Sequence, residues 1–143
     1  MDHIAIMKKS WGLTKKIMCG KKTVEARWYK AKSLPWGRIK KKDTIYFKDS
    51  GKPVSLKAKV IRVLQFDKLN PKITEKILKR YGKDDLGAND IMPEVRKYAS
   101  GKNYCILVFF NEVKRIKPFN INKTGFGTMS AWITVNNIKQ IAN

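Results

Sequence analysis

Apolar residues along this chain fall into short alternating runs more often than into helical stripes, so strands are expected to dominate. His3-Ile4-Ala5-Ile6-Met7 reads as a short, largely buried strand. Ser10 is placed to cap a helix carrying Leu13 and Ile17 on one face, with Gly12 weakening its first turn and Gly20 closing it. A β-prone segment follows, running to Trp28. Tyr29 to Lys42 keeps no period and is punctuated by Pro35 and Gly37, so it reads as a loop. Trp36 in that loop either stacks on a base or plugs the end of a barrel, and plugging is the commoner fate of tryptophan.

Asp43–Phe47, a turn over Asp49–Pro53 and Val54–Leu64 form the clearest element, a β-hairpin. Val54, Leu56, Ala58 and Val60 share one face while Ser55, Lys57 and Lys59 take the other, and the apolar run past Val60 predicts a strand covered on both sides. Asn70-Pro71 starts a helix with an apolar stripe of Ile73, Ile77, Leu78 and Tyr81, ended by Gly82. Lys83 to Asn89 reads as a loop holding Asp84 and Asp85. Asp90 caps a second short helix with Val95, Tyr98 and Ala99, closed by Gly101. Tyr104–Phe110 is apolar almost throughout, as a central strand is, and Val113–Pro118 and Ile133-Thr134-Val135 offer further strands. The expected fold is mainly β with helical insertions (α+β), a small barrel of five to six strands with two to three helices. It is read as one domain over 1–143 with a helical insertion at about 70–100.

Thirty-two Lys and Arg against 11 acidic residues give a formal charge of +21. Self-repulsion on that scale points to an anionic partner, with nucleic acid the commonest, and a generally lysine-rich composition is the alternative. Cys19 and Cys105 form no CxxC pair, and with His3 as the lone histidine no zinc set, metal or other cofactor is expected. Both cysteines read as buried thiols of a reducing compartment. No signal-like or membrane-spanning run is visible, so a cytoplasmic protein with no membrane partner is expected.

Candidate chemistry concentrates in Gly20-Lys21-Lys22-Thr23-Val24-Glu25-Ala26-Arg27-Trp28. Thr23, Glu25 and Arg27 share one strand face, and Glu25 is a carboxylate held between Lys22 and Arg27. Either this is a polar face meeting water or it is a site. If it is a site, Lys21, Lys22, Lys40, Lys41, Lys42, Lys57 and Lys59 supply phosphate contacts, Trp28, Trp36 or Trp132 stack on a base, and Lys9 and Trp11 are further candidate binding residues. Glu25 and Arg27 would read a base edge, with Glu25 accepting from an exocyclic amine such as that of cytosine. Gly125, Phe126 and Ser130, in the run Thr124-Gly125-Phe126-Gly127 to Trp132, mark either a close backbone approach to a ligand or a tight turn.

The run from Gly20 to Trp28 resembles the G-x-K-T-V-E-x-R signature of the ASCH domain. Asp43-Thr44-Ile45-Tyr46-Phe47 resembles that family's G-D-x-I-x-F segment, with Lys42 where glycine is usual. The resemblance spans about the first 65 residues. It implies a PUA-like barrel, of a kind associated with RNA, other nucleic acid and modified nucleosides, whose cleft takes a nucleotide, with the Lys22–Arg27 strand, Thr23 included, lining it. Some members are enzymes, including an amidohydrolase of N4-acetylcytidine and proteins reported to cut RNA. On the amidohydrolase pattern of lysine, threonine and glutamate, Lys22 matches the lysine, Glu25 stands where the threonine falls, and no mid-chain glutamate aligns. Lys22 and Glu25 are thus the candidate catalytic residues under the enzyme reading. Electrostatics favours binding: Glu25 keeps Lys22 charged, and the surrounding cations lower the pKa of Glu25 rather than raising it.

Overall fold

A computed structural model describes residues 1–127 and 129–143. Six strands, β1 (Asp2–Met7), β2 (Val24–Tyr29), β3 (Thr44–Asp49), β4 (Val54–Phe66), β5 (Tyr104–Phe119) and β6 (Trp132–Val135), form one mixed sheet in the order β2-β5-β4-β3-β1-β6. The sheet curls into a half-barrel. Only β1 and β3 run parallel; the other neighbours are antiparallel. Helices α1 (Leu13–Met18), α2 (Pro71–Leu86) and α3 (Pro93–Ala99) complete an α+β small-barrel fold, with α2 and α3 inserted between β4 and β5.

Alternation along β5 explains its apolar run. Ile106, Val108 and Phe110 point into the barrel core with Ile45, Phe47, Leu56 and Ala58, while Cys105 and Leu107 face outward into a second core under α2 and α3. The strand does not stop at Phe110. It passes Glu112, which takes φ 53°, and continues to Phe119, so the two expected strands are one. β4 likewise extends past Val60, but a register shift between Val60 and Arg62 leaves Ile61 42% exposed, and the expected cover on both sides fails there. A third core gathers Ile4, Val54, Ile133, Val135 and Ile141.

Several local expectations change. Ser10 lies in a 3-10 turn (Lys9–Trp11), and Gly12, in the left-handed region at φ 62°, is the residue that starts α1. Gly82 does not end α2. It sits inside the helix because Ile91 packs where a Cβ would be, 2.8 Å from its Cδ1, and the stop comes at Gly87 with φ 61°. Asp84 and Asp85 are therefore helical rather than in a loop. Asn70 caps α2 as expected, its side chain accepting from the Ile73 N–H. The second helix is led by Met92 and Pro93, not by Asp90. Cys105 is buried but Cys19 is exposed. Trp36 packs on the barrel core, edge-on to Tyr104 at 5.2 Å, as a plug would. Among the described residues no helix is long and apolar enough to cross a membrane, and no cluster of three metal-ligating side chains forms.

Candidate functional site

The curled sheet leaves β2 at one edge and the β1–β6 pair at the other, and Arg27 spans the seam between them. From β2 its Nη1 donates to the Ala131 carbonyl at 3.1 Å, and its Nη2 to the Ile6 carbonyl at 3.2 Å. The guanidinium also grips Glu25 Oε2 through Nε and Nη2, both at 2.7 Å, because alternation puts positions 25 and 27 on the same face. The Trp132 indole covers the guanidinium at 5.1 Å.

The other oxygen of Glu25 accepts from Lys22 Nζ at 2.8 Å. Lys22 is 1% exposed, and its ammonium also donates to Asp85 Oδ1 at 2.7 Å, to the Val24 carbonyl at 2.6 Å and to the Asp85 carbonyl at 2.5 Å. With four acceptors around three N–H groups, the nitrogen has no free lone pair to attack a substrate. Asp85 arrives from the last turn of α2 and also accepts from the Ala26 N–H at 2.9 Å. The Thr23 N–H donates to the Asp84 carbonyl at 3.0 Å, so the end of α2 is pinned to the start of β2 and Lys22 sits at its negative pole.

Two cations and two carboxylates thus form one buried network. Burial pushes the Lys22 ammonium down, but Asp85 and Glu25 outweigh it and hold the pKa above the ordinary lysine value. Burial pushes Glu25 up, and Lys22 with Arg27 more than reverse that, so its carboxylate stays ionised. Asp85 differs. Burial, aided by repulsion from Glu25, outweighs the pull of Lys22 and raises its pKa. The two ends of the Lys22–Asp85 contact therefore shift in ways that do not match. The reason is that Lys22 draws on two carboxylates whereas Asp85 has one cation and a like charge nearby.

Beside the network opens a cavity of about 230 Å³, whose lining includes Glu25, Arg27, Asp85, Trp11, Tyr98 and Lys8. Trp11 and Tyr98 meet edge to face at 6.4 Å, and each carries a cation over its ring, Lys8 at 5.2 Å and Lys102 at 4.8 Å. Sequence reasoning placed Glu25, Arg27 and Trp11 as site residues, and all three line this cavity. Lys22 lies behind it. Lys9, Lys21 and Thr23 are exposed nearby without lining it. Trp28 points to the opposite face of β2 and is buried under the helices, and Trp132 is buried with a ring face on Arg27, so neither is free to stack on a base. Phe126 packs into the third core, Gly125 turns the exposed loop before it at φ 90°, and the Ser130 hydroxyl donates to the Trp132 carbonyl. Lys57 and Lys59 line a different cavity on the outer face of the sheet. The sequence-based reading did not assign Asp85, Lys8 or Tyr98 to the site. Asp85 stands four residues after Tyr81 and seven after Leu78, on the stripe that α2 buries once the helix runs past Gly82.

No family model matches the chain, and no curated protein matches it. Among solved structures it is similar to ASCH from Zymomonas mobilis, with TM-score 0.69 and 19% identity over 97% of this chain and 90% of that one. Two single-substitution variants of the same protein, one tyrosine to phenylalanine and one serine to alanine, match at TM-scores of 0.70 and 0.69. Their identities are 18% and 20%, over 97% of this chain and 93% and 91% of theirs. At that identity the likeness is one of fold.

Proposed function

For a chain with the fold of the ASCH proteins, we propose a nucleic-acid-binding module, most directly for RNA, that takes one nucleobase into the cavity at the barrel seam. The observation that carries this reading is the convergence on one hollow of an ionised acceptor (Glu25), a fixed guanidinium (Arg27) and two aromatic rings (Trp11 and Tyr98). At about 230 Å³ the cavity is below the roughly 300–1,000 Å³ of sites for larger ligands, so it suits a single planar ring. Glu25 accepts from an exocyclic amine while the adjacent Arg27 donates to a neighbouring ring acceptor. Cytosine and adenine offer that pair of groups, and uracil does not. Lys8 and Lys102, held over the rings, are the cations nearest the two aromatic groups and would contact a phosphate flanking the base.

Hydrolysis of an acylated nucleoside fits these residues less well. A lysine that must act as base or nucleophile needs a lowered pKa, and Lys22 is buried, saturated with acceptors and held as an ammonium. The test of the binding reading is affinity for short homopolymeric RNA strands. Wild type is expected to prefer cytidine and adenosine strands to uridine strands. Tyr98→Ala, at a residue 47% exposed and so safe for the fold, is expected to weaken binding by about 1–3 kcal/mol, the value of one base stacked on an aromatic ring. Equal affinity for all three strands, unmoved by Tyr98→Ala, would contradict it.

A further inference from the structure

On the outer face of the sheet, β3, β4 and β5 bring a second set of polar groups together. The register sets Tyr46 opposite Lys57 and Lys57 opposite Lys114, with Thr44 opposite Lys59 in the adjacent row. These side chains, with Glu112, line a cavity of about 170 Å³. Like charges directly opposite on neighbouring strands repel, with Cβ atoms about 5 Å apart, and a sheet normally avoids the arrangement. No ion pair among the described residues relieves it. Among the described residues no carboxylate makes an ion pair with Lys57, Lys59 or Lys114, Glu112 included, and Lys59 reaches only the Lys42 carbonyl and the Thr44 hydroxyl, each at 3.4 Å.

We propose that this outer cavity binds a backbone phosphate of a nucleic-acid strand, through Lys57, Lys59 and Lys114 with the Tyr46 and Thr44 hydroxyls as neutral donors. The phosphate supplies the missing charge between the paired lysines, and its oxygens accept from all three ammonium groups and both hydroxyls. Burial first, and Asp2 second, keep the Tyr46 phenol protonated and therefore a donor. A lipid surface suits the patch less well, because none of the exposed large hydrophobic residues lines it to enter a bilayer. The contact is made to the backbone alone, so it carries no sequence preference and does not depend on what the seam cavity holds.

An abasic phosphodiester octamer separates this site from the base cavity, because it offers phosphates without rings. Its affinity for wild type is expected to fall steeply with salt. The double variant Lys57→Gln, Lys114→Gln is expected to flatten the slope of log K against log[salt] by about 0.7, the value of one phosphate no longer neutralised on a single strand. The same variant should melt at or above the wild-type temperature in low salt, since the repulsion is gone, and this shows that it is folded. An unchanged slope in a folded variant overturns the proposal. So does an unchanged slope accompanied by lost binding to phosphatidylserine vesicles, which would give the patch to a lipid surface instead. Loss of base preference in Tyr98→Ala bears only on the seam cavity and leaves this slope where it is.

Discussion

At the scale of single residues, the account turns on how Lys22 is shared. Removing it leaves Asp85 buried without a cation and Glu25 with Arg27 alone, whereas Asp85→Asn keeps an oxygen for the Ala26 N–H and for Lys22 while deleting a charge that the fold disfavours. Lys22→Met is therefore expected to cost about 3–5 kcal/mol in urea unfolding, as breaking a buried ion pair from one side does, and Asp85→Asn markedly less. The reverse order would show that Asp85, not Lys22, anchors the network. Three of the four members of this network were legible in the sequence. Lys22, Glu25 and Arg27 sit within six residues, and strand alternation puts the last two on one face. Asp85 was not read, because Gly82 looked like a helix stop. Only the packing of Ile91 against Gly82, a long-range contact, shows why a glycine belongs inside α2.

At the scale of elements, the seam is held by β1 and β6 as much as by β2. His3 on β1 is fully buried. Its Nδ1 accepts from Trp132 Nε1 at 3.3 Å, which leaves Nε2 to donate to Asp43 Oδ2 at 2.8 Å. Trp132 in turn backs Arg27. Burial lowers the pKa of His3, and Asp43 and Asp2 oppose that without overcoming it. With a folded pKa below the unfolded value of 6.5, the neutral ring's contribution to stability is complete above pH 6.5 and is lost as the pH falls from there toward the folded value. Thermal melts are expected to show this loss in wild type below about pH 6.5, and a flatter profile over the same range in His3→Gln. Parallel profiles would mean that His3 does not titrate on unfolding. The strand positions were readable because β1, β3, β4 and β5 alternate or are apolar on both faces. The pairing of β1 with β3, and the bend of β5 at Glu112, depend on contacts far apart in sequence that no local pattern records.

At the scale of the whole molecule, a charge of +21 goes with two proposed contacts to a nucleic acid: the aromatic cavity at the seam for a base and the lysine rows on the outer sheet for a phosphate. Only the first contains groups that can tell one base from another, so base preference and salt dependence should respond to different substitutions. The four tryptophans make the central claim directly observable. Trp11 lines the seam cavity, Trp28 and Trp132 are buried, and Trp36 packs against Tyr104. In a ¹⁵N-labelled protein titrated with a short cytidine strand, the Trp11 indole resonance is predicted to shift saturably while those of Trp28 and Trp36 hold still. A Trp11 resonance that stays fixed while the strand binds elsewhere would contradict the account.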